Sequence, residues 1–149
     1  VAIIQPKILD FKDKTKFEYA GAGGGFIDLY GYPYCRGRVF NHLETDKGQF
    51  NDVKDIFWAS GACLFIRSQV YHTLKGFDED YFAHQEEIDL CWRTQNIGHK
   101  IKYVGKSTVS YTIHLHACVC LIEYVNGQIA DVDPSRLISA GGSYYRTRS

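Results

Sequence analysis

The sequence predicts a mixed α/β domain: one mixed sheet with flanking helices and a long ordered loop region. Three observations carry that expectation. Residues 1–9 and 56–66 are dominated by apolar or small residues, as buried strands are. Ile88, Cys91, Trp92 and Gln95 recur at helical spacing, with Gly98 placed to close the helix. Between the apolar runs, residues 10–55 carry seven glycines among many aromatics and show neither periodicity.

The opening run, interrupted by Pro6, reads as a buried parallel strand that ends or kinks at the proline. Residues 10–55 read as an ordered loop, since a loop this long in a compact domain signals function or packing onto a partner. Residues 56–66 read as a second buried strand, ended by Arg67 and Ser68. Ser68 is placed as the N-cap of a short helix over 69–75, closed by Gly76. A second helix is expected over 85–96, with Glu86, Glu87 and Asp89 in its first turns, where the helix dipole favours negative charge. Residues 101–104 and 108–113 read as short strands. Asn126-Gly127 between residues 118–125 and 128–132 signals a terminal hairpin, and the polar stretch 141–149 is expected to fray.

Composition excludes some functions. Seventeen basic residues balance seventeen acidic ones and no basic run stands out, so nucleic acid is not an expected partner. The five cysteines, at 35, 63, 91, 118 and 120, form an odd set without Cys-x-x-Cys spacing. Reduced thiols in the cytoplasm are the expectation, at most against the inner face of the membrane. No apolar run is long enough to span a bilayer, and no signal-peptide pattern opens the chain. The start on Val1 and the absence of Met predict a piece of a longer gene product.

Three blocks carry the chemistry: Phe57-Trp-Ala-Ser-Gly-Ala-Cys-Leu-Phe-Ile-Arg67, Gly76-Phe-Asp-Glu-Asp-Tyr-Phe82 and His84-Gln-Glu-Glu-Ile-Asp-Leu-Cys-Trp-Arg93. In this order they resemble the acceptor-side, C-terminal half of family-2 glycosyltransferases of the GT-A fold, the nucleotide-diphospho-sugar transferase type. The segments Phe17-Glu-Tyr-Ala-Gly-Ala-Gly-Gly-Gly-Phe-Ile-Asp28 and Gly31-Tyr-Pro-Tyr-Cys-Arg-Gly-Arg38 resemble a bacterial rhamnosyltransferase-like subfamily of surface polysaccharide assembly. The resemblance covers residues 1–111. It leaves 112–149 as a divergent C-terminal segment with a β-hairpin.

The resemblance implies an inverting transfer of sugar from a nucleotide-sugar donor to a glycan or lipid-linked acceptor, with a divalent cation, Mg or Mn, in the intact enzyme. A carboxylate must take the acceptor proton as that oxygen attacks the anomeric carbon. The family's base position maps onto Glu87, with Glu86 as its deputy; the competing reading is that Glu86, Glu87 and Asp89 only stabilise a helix start. Asp89 and Arg93 would order the site. Trp58, Ser60 and Gly61 would contact the acceptor, Trp58 by stacking on a sugar face, against the alternative of a core tryptophan. Asp78 would shape the cleft or simply cap a turn. Arg36 and Arg38 could reach a diphosphate, and Asp28 or Tyr32 could line the sugar site. His84 is read as a structural donor or a substrate contact.

The chain departs from the family pattern in two places. The metal-holding Asp-x-Asp expected upstream is absent, and Asp131-Val-Asp133 is a chance match near the wrong terminus. Tyr111 stands where a histidine is expected, with His114 and His116 nearby. Gly21-Ala-Gly-Gly-Gly25 fails as a phosphate loop, because no Lys-Ser/Thr opens a helix after it. The isolated chain is therefore expected not to turn over. The alternative is a non-catalytic carbohydrate-binding or protein-interaction module that uses the aromatics of residues 17–40, and a homodimer through exposed sheet edges fits either reading.

Overall fold

The computed structural model describes residues 1–81, 85–111, 119–125 and 128–132, with 111, 119–125 and 128–132 described by backbone alone. Phe82, His84, His114, His116, the Asn126-Gly127 turn, Asp133 and the 141–149 tail lie outside the described residues. The architecture is mixed α/β with few helices. Six strands form one mixed sheet: β1 (Ile3–Asp10), β6 (Val53–Asp55), β7 (Leu64–Arg67), β8 (Ile101–Tyr111), β9 (Val119–Val125) and β10 (Gln128–Val132), in the order β10-β9-β7-β1-β8-β6. β1 runs parallel to β8 and antiparallel to β7, and β9 and β10 form the antiparallel pair expected for a terminal hairpin.

β1 lies between two partners, which is why its side chains are buried almost throughout. The strand does not end at Pro6. Instead the register with β8 shifts there, from Pro6 opposite Val104 to Lys7 opposite Thr108, so that residues 105–107 bulge out of β8. A proline cannot donate to a ladder, and a bulge lets a strand carry one. As far as Tyr111, the two short strands expected over 101–104 and 108–113 are therefore the two sides of this bulge in one strand; residues 112 and 113 lie outside the described residues.

Beyond Ile4, the other edge of β1 is occupied by the chain itself. Ile8 N–H donates to Ala22 O (3.1 Å), and Glu18 N–H donates to Ile8 O (3.0 Å). The 10–55 region is ordered, as expected, but it is not without secondary structure. It contains the hairpin β2 (Gly25–Ile27) with β3 (Pro33–Cys35), the small pair β4 (Arg38–Val39) with β5 (His42–Leu43), and β6, which joins the main sheet.

Two ion pairs fasten this region down. Lys7, only 2 % exposed, donates from Nζ to both Asp46 carboxylate oxygens (3.0 and 2.8 Å) and to Asn51 Oδ1. Removing one partner of such a pair would strand a buried charge. Arg36 grips Asp52 with both Nη groups (2.9 and 3.1 Å), donates from Nε to Gly23 O (2.8 Å), and lies 4.8 Å from the ring centroids of Phe50 and Tyr103. The guanidinium holds the Asp52 carboxyl below its ordinary range. Arg36 is a structural clamp, then, and not the free cation that the diphosphate expectation needs. Arg38 lies over the ring of Tyr19 at 4.1 Å.

The second expected strand shortens to β7, because the chain bridges Gly25 at Trp58 and then turns through residues 61–62 before entering the main sheet at Leu64. α1 spans Ser68–Thr73, so Ser68 is its first helical residue; Arg67 takes the N-cap position without a side-chain hydrogen bond. The chain then turns through Lys75 (φ +62°) and Gly76 (φ +75°).

Glu18 is the buried carboxyl among the described side chains, at 1 % exposure. Its Oε2 accepts from Ala20 N–H (2.6 Å), while Oε1 has no hydrogen-bond partner. Burial pushes this group above its ordinary 4.5, with Asp10 adding to the rise and Arg38 opposing it. The folded state therefore holds the proton more tightly than the unfolded chain. Stability is full below the unfolded value and is lost as pH rises toward the folded one.

Two outcomes follow from this packing. Thermal melts across the acid range should show the wild type losing stability relative to Glu18→Gln as pH rises above about 4.5, the lowered aspartates contributing equally to both. A Cβ on Gly21 would sit 2.3 Å from Ser60 Cβ, whereas Gly31 has nothing within 4 Å of the same position. Urea unfolding should accordingly show Gly21→Ala losing about 2–3 kcal/mol by overpacking. Gly31→Ala, at φ +87°, should lose only the roughly 1 kcal/mol of its backbone strain.

Candidate functional site

α2 (Glu86–Asn96) builds the site. Leu90, Cys91 and Thr94 face the core, and Glu86, Glu87 and Asp89 fill the first turn, as the sequence predicts. Gly98 closes the helix at φ +87°. The N-cap is the unexpected part. Gln85 sits in the left-handed region at φ +73° and contributes no side-chain cap. Such strain costs on the order of 1–3 kcal/mol and concentrates at functional sites. The acidic first turn offsets the helix dipole in place of the missing cap.

Helical spacing divides the three carboxylates. Asp89 and Arg93, four apart, form an ion pair in which Arg93 Nε donates to Asp89 Oδ2 (2.7 Å). Arg93 also donates from Nη1 to Leu74 O (2.8 Å) and from Nη2 to Gly76 O (2.9 Å). One guanidinium thus ties α2 to the left-handed turn that ends α1 and begins the Gly76 to Tyr81 stretch. Asp89 and Arg93 are thus paired with each other on α2. Glu86 lies on the same side of the helix, three residues before Asp89 and seven before Arg93.

Glu87 belongs to the inward stripe. It stands one turn before Cys91, which is fully buried and whose Sγ accepts from Ala59 N–H (3.3 Å). Burial pushes the Cys91 thiol up to about 12, with Glu87 and Asp89 adding to the rise, so this thiol stays neutral and packs. The hydrogen bond from Ala59 seats residues 59–61 against α2, one turn below Glu87. Gln95 repeats the contact further along by donating to Phe57 O (2.9 Å).

The expected acceptor residues then separate. Gly61 is partly exposed, at the turn before β7. Ser60 is 2 % exposed: its N–H donates to Gln5 Oε1 (2.7 Å) and its Oγ accepts from Ala62 N–H (3.1 Å). Trp58 is a core tryptophan at 5 % exposure, its Nε1 donating to Phe26 O (2.9 Å). Its ring lies so close to Gly25 that a Cβ there would sit 2.2 Å away. The stacking expectation for Trp58 therefore gives way to the core alternative. Asp78 holds a turn, accepting at Oδ1 from Asp80 N–H (3.0 Å). Asp28 likewise accepts from Tyr30 and Tyr32 N–H (both 2.9 Å), which commits it to its own turn.

Gln5 and Gln95 were not among the expected site residues. Gln5 is fully buried and donates from Nε2 to Gly21 O (3.0 Å) while accepting from Ser60. The signal was present: a polar side chain inside an apolar strand must find partners. Among the described residues, no three His, Cys, Asp or Glu side chains gather as a metal-ligating cluster.

Comparison with known proteins adds a relationship over part of the chain. Over 56 residues it is 36 % identical to the N-acetylglucosaminyl-diphospho-decaprenol L-rhamnosyltransferase of Mycobacterium tuberculosis, covering 38 % of this chain and 18 % of that protein. Over 47 residues it is 36 % identical to rhamnosyltransferase WbbL of Escherichia coli K12, covering 32 % of this chain and 18 % of the relative. The similarity is to glycosyltransferases. The matches thus span less than a fifth of each relative's length. No family model and no solved structure matches the chain.

Because Arg93 makes its bonds as a planar fork, Arg93→Lys should cost about 2 kcal/mol in urea unfolding although the charge is kept, and Asp89→Asn should cost less.

Proposed function

We propose that this chain is the acceptor-side part of an inverting glycosyltransferase of GT-A type, taking an L-rhamnosyl group from a nucleotide-sugar donor to a glycan or lipid-linked acceptor in surface polysaccharide synthesis. The observation that carries the reading is the acidic start of α2 seated over residues 59–61: Glu87 lies one turn before Cys91, whose Sγ accepts from Ala59 N–H, and the strained Gln85 opens the helix. Partial similarity to two rhamnosyltransferases supports the reaction class.

In this reading Glu87 accepts the proton of the acceptor hydroxyl. The oxygen attacks the anomeric carbon from the face opposite the leaving group, the bond to the nucleoside diphosphate breaks, and the configuration inverts. Glu86 flanks the base. Arg93 is a positioning residue that fixes α2 against the Gly76 turn, and Gly61 leaves room beside the helix start. Trp58, Ser60 and Gln5 set the backbone of residues 58–61 from beneath. Asp78 shapes the same edge through its turn. A divalent cation, where the whole enzyme uses one, would neutralise the leaving diphosphate and is expected outside the described residues. On its own the chain is expected to bind acceptor without turnover.

The test is transfer from a nucleoside-diphosphate rhamnose to a GlcNAc-diphospho-prenyl acceptor, measured in the protein that carries this chain. Glu87→Gln should lower kcat about 10²–10⁴-fold with little change in acceptor KM, and Glu86→Gln should lower it less. Unchanged kcat in both variants would refute the assignment. Acceptor binding without any transfer, unaffected by either substitution, would favour the non-catalytic carbohydrate-binding module instead.

A further inference from the structure

Trp92 on α2 is half exposed, at 51 %, whereas Trp58 is spent in the core. Its indole meets Phe57 edge to face, with ring centroids 5.6 Å apart and an interplanar angle of 81°. A T-shaped contact uses one face of one ring, so an indole face is left for something else. Trp92 has no part in the contacts that Arg93 makes with Asp89 and the Gly76 turn.

The aromatic pair is held in place. Gln95 Nε2 donates to Phe57 O (2.9 Å), Phe57 N–H donates to Gly25 O (2.9 Å), and Cys91, the residue before Trp92, packs against Ala59. Residues 57–61 therefore run alongside α2 in the opposite sense, with Phe57 level with Gln95 and Ala59 level with Cys91, so that residues 60–61 reach the helix start at Glu87. Trp92 stands further along the helix than Glu87 by the rise of five residues, about 7.5 Å. Ile88 follows Glu87 and lies one turn before Trp92 on the same flank, so an apolar strip joins the two.

We propose that Trp92 is the platform for a pyranose ring of the acceptor, with the ring's axial C–H face on the indole and its hydroxyls against the amides of Asn96 and Gln95. The proposal rests on the reading of Glu87 for the direction in which the reacting hydroxyl points, and on this flank alone for the ring. The face of an indole is electron-rich, and the axial C–H bonds form the apolar, weakly positive side of a pyranose. An aromatic face rimmed by a few polar groups is how small polar ligands are bound. The rim here is uncharged: Asn96 is exposed one turn after Trp92, Gln95 lies beside it, and Asp89 on the far side is taken by Arg93.

Other occupants fit less well. An anionic headgroup needs a cation, and helical spacing puts no lysine or arginine on the flank of Ile88, Trp92, Gln95 and Asn96. A partner helix or a second copy needs a continuing apolar stripe, and here Ile88 and Trp92 are followed by amides, while exposed Ile97 falls on another face. The stacking role expected of Trp58 passes to the tryptophan that has a face to give.

Proton NMR of the chain with a short-chain alkyl GlcNAc-diphosphate, with no donor present, tests it independently of sugar transfer. The axial GlcNAc protons should move upfield in the ring current of the indole, and the Trp92 indole N–H signal should shift with the same saturation while that of Trp58 stays. Trp92→Ala should weaken binding at least tenfold and abolish the upfield shift, whereas Trp92→Phe, which keeps a ring, should retain it. An alkyl diphosphate without the sugar should leave the Trp92 signal in place. The proposal is overturned by a wild type that shows no upfield shift, by undiminished binding to Trp92→Ala, by an equal response to the sugar-free alkyl diphosphate, or by a Trp92 signal that follows protein concentration instead of ligand. Stacking that persists while Glu87→Gln and Glu86→Gln both leave transfer unchanged would refute the reaction and keep the subsite. Transfer that needs Glu87 while Trp92→Ala leaves the acceptor KM unchanged would do the reverse.

Discussion

The amide of Gln5 is the interaction on which the rest of the site depends. It lies fully buried in β1, gives its Nε2 hydrogen to Gly21 O and takes the N–H of Ser60 on Oε1. Two stretches far apart in sequence are thereby pressed together, so closely that position 21 has no room for a Cβ. The neighbour of Ser60, Ala59, then meets Cys91 on α2. A buried amide satisfied on both ends contributes only about 1 kcal/mol per hydrogen bond, but leaving either end unpaired would cost more than that. The arrangement therefore fixes position more than it adds stability. The position of the helix start follows from it.

From the other side, α2 is set by Arg93. Its fork reaches Asp89 and two carbonyls of the turn closing α1, so the helix cannot rotate without breaking three bonds. Gln5 fixes what lies beneath the helix start and Arg93 fixes its azimuth. Between them, Glu87 is left on the inward stripe while Asp89 is used as a strut. An acidic helix start alone is weak evidence of chemistry, because the dipole rewards it anyway. The strained Gln85 and the seating of residues 59–61 under the helix start are what raise it above that.

Much of this was legible in the sequence, for identifiable reasons. α2 combined helical spacing, an acidic start and a terminal glycine, three signals that agree, and it begins and ends within a residue of expectation. Asp89 and Arg93 were expected from the resemblance to order the site, and their spacing of four is what lets them pair on the helix. Residues 56–63 misled because small and apolar residues serve a tight turn over a core as well as they serve a strand, and only the partners distinguish the two. Pro6 misled because the compensating bulge lies in β8, roughly a hundred residues away. The short strands of the 10–55 region are two or three residues long, below any periodicity, and are held by Lys7 and Arg36 through long-range pairs that no local pattern announces. Trp58 read equally well as platform or core until its indole N–H was seen on Phe26 O.

The measurement that bears most directly on this account is carboxyl-carbon NMR of the glutamate-labelled chain during titration with a short-chain alkyl GlcNAc-diphosphate. The Glu87 resonance should move with saturation, Glu86 should move less, and the Arg93 side-chain signals should stay in place because that fork is already made. A Glu87 resonance that stays fixed while the ligand binds elsewhere on the chain would contradict it.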